Sequence, residues 1–117
     1  MATDRIAVIK AINAQREVLV ALGEGKTVTV RRPPEGTLWQ FRGLIDLKAV
    51  CDCAVGWAGF RECDVIDGGA EDELDFHPDV FRAVVEDRND WIETLSQAIA
   101  RAIEAHDARR KAASGNS

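Results

Sequence analysis

The chain has little of what catalysis, metal binding or membrane insertion requires. It holds two histidines, His77 and His106, and three cysteines, Cys51, Cys53 and Cys63. An odd cysteine count rules out a fully paired disulfide framework and fits free thiols in a reducing compartment. No serine sits in a Gly-x-Ser-x-Gly elbow, and no glycine-rich phosphate loop follows a strand. No apolar run approaches the roughly 18 residues that would cross a bilayer. The opening Met1-Ala-Thr-Asp-Arg-Ile6 has no apolar signal core. These absences point to a soluble intracellular protein with no membrane contact.

The cysteines and acids do not assemble into a recognisable metal site. Cys51-x-Cys53, Cys63 and His77 lack the paired two-to-four spacing of structural zinc sites, and on a helix Cys51 and Cys53 point about 200° apart. The run from Asp64 through Gly68-Gly69 to Glu71-Asp72-Glu73 and Asp75 gathers oxygen ligands around glycines. It lacks the alternating acids and the later glutamate of a helix–loop–helix calcium loop. Gly68-Gly69 instead reads as a chain reversal. No metal, no cofactor and no catalytic residue is expected.

What is present describes one folded domain, taken as residues 1–113 with a flexible tail at 114–117. Of 117 residues, 46% are hydrophobic and 30% charged, with a net charge of −5. That is too apolar for disorder and long enough to bury one core. The charge is uneven. Residues 61–93 carry twelve acids against three arginines, for −9, while the first 33 residues carry six bases against three acids, for +3. An acidic protein repels phosphate backbones, and Arg31-Arg32 is too small a patch to reverse that, so no nucleic-acid partner is expected. Such polarity suits solvated surfaces, a basic partner or head-to-tail self-association.

The elements read as α+β, mostly helical. Up to Leu22 the chain reads two ways: Ile6, Val8, Ile9 and Ile12 suggest a helix face, while Glu17–Leu22 is β-prone. Thr27-Val28-Thr29-Val30-Arg31 alternates strictly, so a hairpin over about 17–31, turning at Gly23–Lys26, is expected, ended by Pro33-Pro34. A middle helix over 38–54 follows, with Thr37 a candidate N-cap, running into Val55-Gly56-Trp57. Pro78 marks a first helical position with His77 before it as a helix-entry residue, and Phe76 with Phe81 forms a hydrophobic staple. Val80, Phe81, Val84 and Val85 form one apolar face. Asn89-Asp90 breaks this helix and starts another, with Asp90 and Glu93 at capping-box spacing. Trp91, Leu95, Ala98, Ile99, Ala102 and Ile103 carry the last helix to about Ala108 or Lys111.

The tryptophans divide the interior from the surface. Trp91 lies on a core stripe. Trp39 fits core or interface. Trp57, bracketed by Gly56 and Gly59, fits a plug between the middle helix and the C-terminal pair, or an interface anchor.

Val55-Gly-Trp-Ala-Gly-Phe60, the acidic glycine-bearing spacer, Asp75-Phe-His-Pro-Asp79 and the paired C-terminal helices together resemble the tail assembly chaperones of long-tailed bacteriophages and prophages. The likeness covers roughly Ala49 to Ala108. His77 stands where the family has a small hydroxyl residue, and Asp79 where it has glutamate. The first 36 residues match only through a β-rich start ending in Arg-Arg-Pro. The resemblance implies a non-enzymatic protein that coats the tape measure protein before tail-tube polymerisation. The expected contact residues are Trp39, Trp57, Phe60, Phe81, Val84 and Val85. Two alternatives stand beside it: a structural virion component such as a tail completion or terminator protein, and a small metal-dependent enzyme or regulator using Cys63, His77 and the acidic loop.

Overall fold

A computed structural model describes residues 4–41 and 45–115, with the side chains of 39–41 and 115 outside the description. The order is α1 (Arg5–Gln15), β1 (Glu17–Gly23), β2 (Lys26–Arg31), a 3-10 helix (Glu35–Phe41), α2 (Leu47–Cys53), β3 (Ala54–Ala58), α3 (Glu62–Val65), α4 (Pro78–Val85) and α5 (Asn89–Gly115). The fold is α+β and mostly helical, as the periodicity implies. One antiparallel sheet, ordered β1-β2-β3, packs its buried face against α2 and α5. Val28 and Val30 on the central strand are fully buried. They pair with Val20 and Val18 on one side, and with Trp57 and Ala54 on the other. Phe60, Phe81, Val85, Leu95 and Ile99 complete the core.

Three expectations need correction. The middle helix is split: a 3-10 helix ends at Phe41, and α2 starts afresh at Leu47. Asp46 caps α2 by accepting the Ala49 N–H at 3.0 Å. Thr37 is no N-cap; its hydroxyl donates back to the Pro34 carbonyl at 3.0 Å. Gly43 and Leu44, part of the expected helix, lie outside the described residues. Second, Val55-Gly56-Trp57 is a strand rather than a helix end. Thr29 pairs with Gly56 and Val30 with Ala54, so Val55 is an extra bulged residue that bends β3 over the core. Third, α5 extends past Lys111 to Gly115, taking in the first two residues read as tail.

The start of the last helix also differs in its chemistry. It begins at Asn89, and Asp90 sits inside the first turn. Arg88 holds both Asp90 oxygens, with Nε to Oδ1 at 3.0 Å and Nη2 to Oδ2 at 2.8 Å, in place of a capping box with Glu93. By contrast, His77 caps α4 through Nδ1, which accepts the Asp79 N–H at 3.1 Å, and Pro78 follows at the first position. The Phe76 and Phe81 rings meet at 5.6 Å as the staple requires. The ambiguous N-terminus resolves into both readings in sequence: α1 over 5–15, then β1. No residue of α1 is buried.

Candidate functional site

The acidic stretch is a closed loop. The chain leaves through Phe60–Cys63 and returns through Ala70–Leu74, tied by Cys63 N–H to the Ala70 carbonyl (2.8 Å), Glu62 N–H to Asp72 (3.0 Å) and Leu74 N–H to Phe60 (2.7 Å). Gly68, at φ 79°, makes the reversal. Asp64 anchors the loop to the body. It accepts the Arg61 N–H at 2.9 Å, its other oxygen takes Arg61 Nη2 at 3.1 Å, and the buried Lys26 ammonium lies 3.5 Å away. The bond from the Arg61 side chain, followed by that from its backbone, pulls the Asp64 carboxyl down to about 2.

Trp57 fixes the same loop from below. Its ring stacks on Phe60 at 4.2 Å, meets Phe76 edge-on at 5.7 Å and leans on Phe81 at 6.1 Å. Its Nε1–H donates to the Leu74 carbonyl at 2.8 Å. An indole with an apolar body and a satisfied N–H suits a half-buried junction. Trp57 thus joins β3, the returning loop and α4.

Between that loop and α4 lies an open groove of about 590 Å³. Val65, Ile66 and Leu74 form one wall, and Val80, Ala83 and Val84 the other. Trp91 closes the floor, with the Arg88 guanidinium 3.7 Å above its ring. Asp64, Asp79 and Asp87 stand on the lining. Ile66 is 54% exposed and Val80 36%, although both are large aliphatic residues. The groove can therefore receive an apolar side-chain row flanked by cations.

The expected contact residues separate into layers. Phe60, Phe81 and Val85 are each 1% exposed and sit in the core, where they support the groove without reaching its surface. On α4 the i, i+4 pair Phe81/Val85 points inward, so the neighbouring pair Val80/Val84 is left for the groove. Val84 lines it, Trp57 is half-buried behind it, and the Trp39 side chain lies outside the described residues. Ile66, Leu74 and Val80 were missed as surface contacts. Their signal was an aliphatic residue inside an acidic loop, and an apolar face on α4 wider than one core contact needs.

Of the groups considered for chemistry, both histidines are engaged structurally. His77 is a cap, and His106 Nε2 lies 2.8 Å from Glu35. Burial raises the Cys51 thiol and pushes Cys53 up to about 11, so both are poor nucleophiles. Among the described residues no group of three or more His, Cys, Asp or Glu side chains could hold a metal ion, and no helix is long and apolar enough to cross a membrane. Comparison with protein-family models finds no match, and neither does comparison with curated proteins or with solved structures.

Proposed function

We propose that this chain is a non-catalytic tail assembly chaperone of a long-tailed phage or prophage, acting in the host cytoplasm by binding the tape measure protein. The acid-rimmed apolar groove between α4 and the closed loop carries this reading. A long helical client would offer repeated apolar rows, and cations beside such rows would meet acids on the groove's rim. The groove's walls match the first feature and Asp79 and Asp87 the second, Asp64 being held already by Arg61 and Lys26. Apolar burial favours association against the entropy cost of binding, and the acids add steering that salt screens. The resemblance around Val55–Phe60 and Asp75–Asp79 supports the same assignment.

Co-expression with a tape measure protein is the test. The client becomes soluble and copurifies with the wild-type chain. Val80→Asp, at a position already 36% exposed, leaves the fold intact and weakens capture about tenfold or more. A client equally insoluble with and without the chain sinks the proposal. Finding the chain in purified virions would instead favour a structural tail component.

A further inference from the structure

At the far end of the sheet from the groove, a second cleft of about 560 Å³ gathers arginines from three parts of the chain. Arg16 closes α1, Arg32 follows β2, and Arg109 and Arg110 come from α5, with Ile12 and His106 beside them. Glu35 neutralises only part of this charge: it lies 2.8 Å from His106 Nε2 and 3.7 Å from Arg110. Among the described residues, Arg16, Arg32 and Arg109 have no carboxylate within 4.0 Å. Arg16 donates from Nη2 to Asn13 at 3.1 Å, while its Nε is buried with no partner. Arg32 donates to the Pro33 carbonyl at 2.9 Å. Burial and then the adjacent Arg16 charge lower the Arg32 guanidinium from its ordinary value, outweighing the opposing pull of Glu35 and Asp107. Such like charges converge at a cost unless an anion joins them.

Ile12 lines the cleft with these arginines, and α1 carries further exposed isoleucines toward its N-terminus. Ile6, Ile9 and Ile12 on α1 are 64%, 52% and 53% exposed. Unneutralised guanidinium groups beside uncovered isoleucines form a surface suited to protein recognition. From this juxtaposition we infer that the α1–α5 cleft is a docking site for an acidic protein segment that sets carboxylates on the arginines and apolar side chains on α1. The site goes beyond the groove and its client. A polynucleotide fits less well, because its backbone offers nothing to cover the isoleucines and the chain's net charge is −5. The chain's own acidic loop cannot fill the cleft. Asp64 pairs with Lys26 at the turn end of the hairpin, and Arg16 and Arg32 flank the other end, one strand length or about 20 Å away.

Fluorescence anisotropy on the full chain tests this, using a short labelled helical peptide with leucines along one face and glutamates along the other. The wild type binds it at low salt and loses it at high salt. Arg109→Gln, on an exposed stretch of α5 where misfolding is not at issue, weakens binding, and Arg32→Gln with Arg109→Gln weakens it about tenfold. Ile12→Ser also weakens it, which a purely ionic site would not register. Arg101→Gln, on the same helix outside the cleft, changes nothing. Four results overturn the inference: equal binding by the double variant, equal binding of the lysine counterpart peptide, tighter binding of duplex DNA, or self-association abolished by Arg109→Gln with no peptide bound. The last would make a second copy the occupant. Each is separable from failure of the groove, whose variant Val80→Asp leaves this binding unchanged.

Discussion

Two glycines bracket Trp57, and the structure assigns them opposite sensitivities. Gly59 has φ +82°, a region that costs an L-residue about 1–2 kcal/mol. A Cβ built there would collide with the Gly25 carbonyl oxygen and lie 3.0 Å from its carbon and 3.2 Å from the Lys26 Cα. All three atoms are backbone of the β1–β2 turn, so no rotamer change relieves the overlap. The turn must shift, which pulls at the buried Lys26 and its link to Asp64. Adding a backbone displacement of this kind brings Gly59→Ala to about 3–5 kcal/mol, a large part of the stability of a domain this size. Gly56, by contrast, has nothing within 4 Å of a built Cβ, so Gly56→Ala changes stability by no more than about 0.5 kcal/mol. Urea unfolding of both variants, followed by Trp fluorescence, measures the difference. Equal midpoints for the two would refute the close approach of Gly59 to the hairpin turn.

Trp57→Ala removes the ring stacked on Phe60 and should cost about 3–5 kcal/mol, while Trp57→Phe, keeping a ring but losing the bond to Leu74, should cost about 1 kcal/mol; a reversed order in chemical denaturation contradicts the junction role. The Asp64 carboxyl titrates near 2 in the folded chain against 3.8 ordinarily, so its ionised form is favoured by folding. That stabilisation is present above about pH 4 and lost as pH falls toward 2; Asp64→Asn should flatten the acid limb of the Tm–pH curve, and an unchanged limb argues against the Arg61 and Lys26 contacts. A double-mutant cycle should find Asp90 coupled to Arg88 and uncoupled from Glu93, since Arg88 holds both carboxylate oxygens. Coupling to Glu93 instead would restore the capping box.

Local signals were legible where neighbours in sequence settle the structure. Val28 and Val30 alternate with threonines and are buried together; His77-Pro78 starts α4 with its staple; the stripe from Trp91 to Ile99 is the core face of α5. Non-local partners decided the rest. Ala54–Ala58 has no alternation of its own, and becomes a strand because the far edge of β2 needs hydrogen-bond partners that only a distant segment can supply. The Asp90-to-Glu93 spacing was genuine, but Arg88 lies two residues upstream and offers a bidentate partner that outcompetes a backbone N–H. Nothing in the periodicity of α1 could show that its isoleucines find no core, because their spacing is the same whether or not an element covers them.

The distribution of exposed aliphatic residues is what separates the candidate surfaces from ordinary scatter. Single exposed hydrophobics are common on any protein and signify nothing. Among the described residues the large ones lie on α1 (Ile6, Val8, Ile9 and Ile12), on β1 (Val18 and Leu19) and on the groove (Ile66 and Val80). Arginines border Ile12 on α1, while three aspartates and Arg88 stand on the groove. Stability alone does not require either arrangement. A polar side chain at Val80 would leave Phe81 and Val85 in the core undisturbed, and a polar residue at Ile9 would touch no buried group. Contiguous apolar surface with a matched charged border is the composition of a surface that another chain covers. The two proposals together assign a basic apolar row to the groove and an acidic one to the α1–α5 cleft.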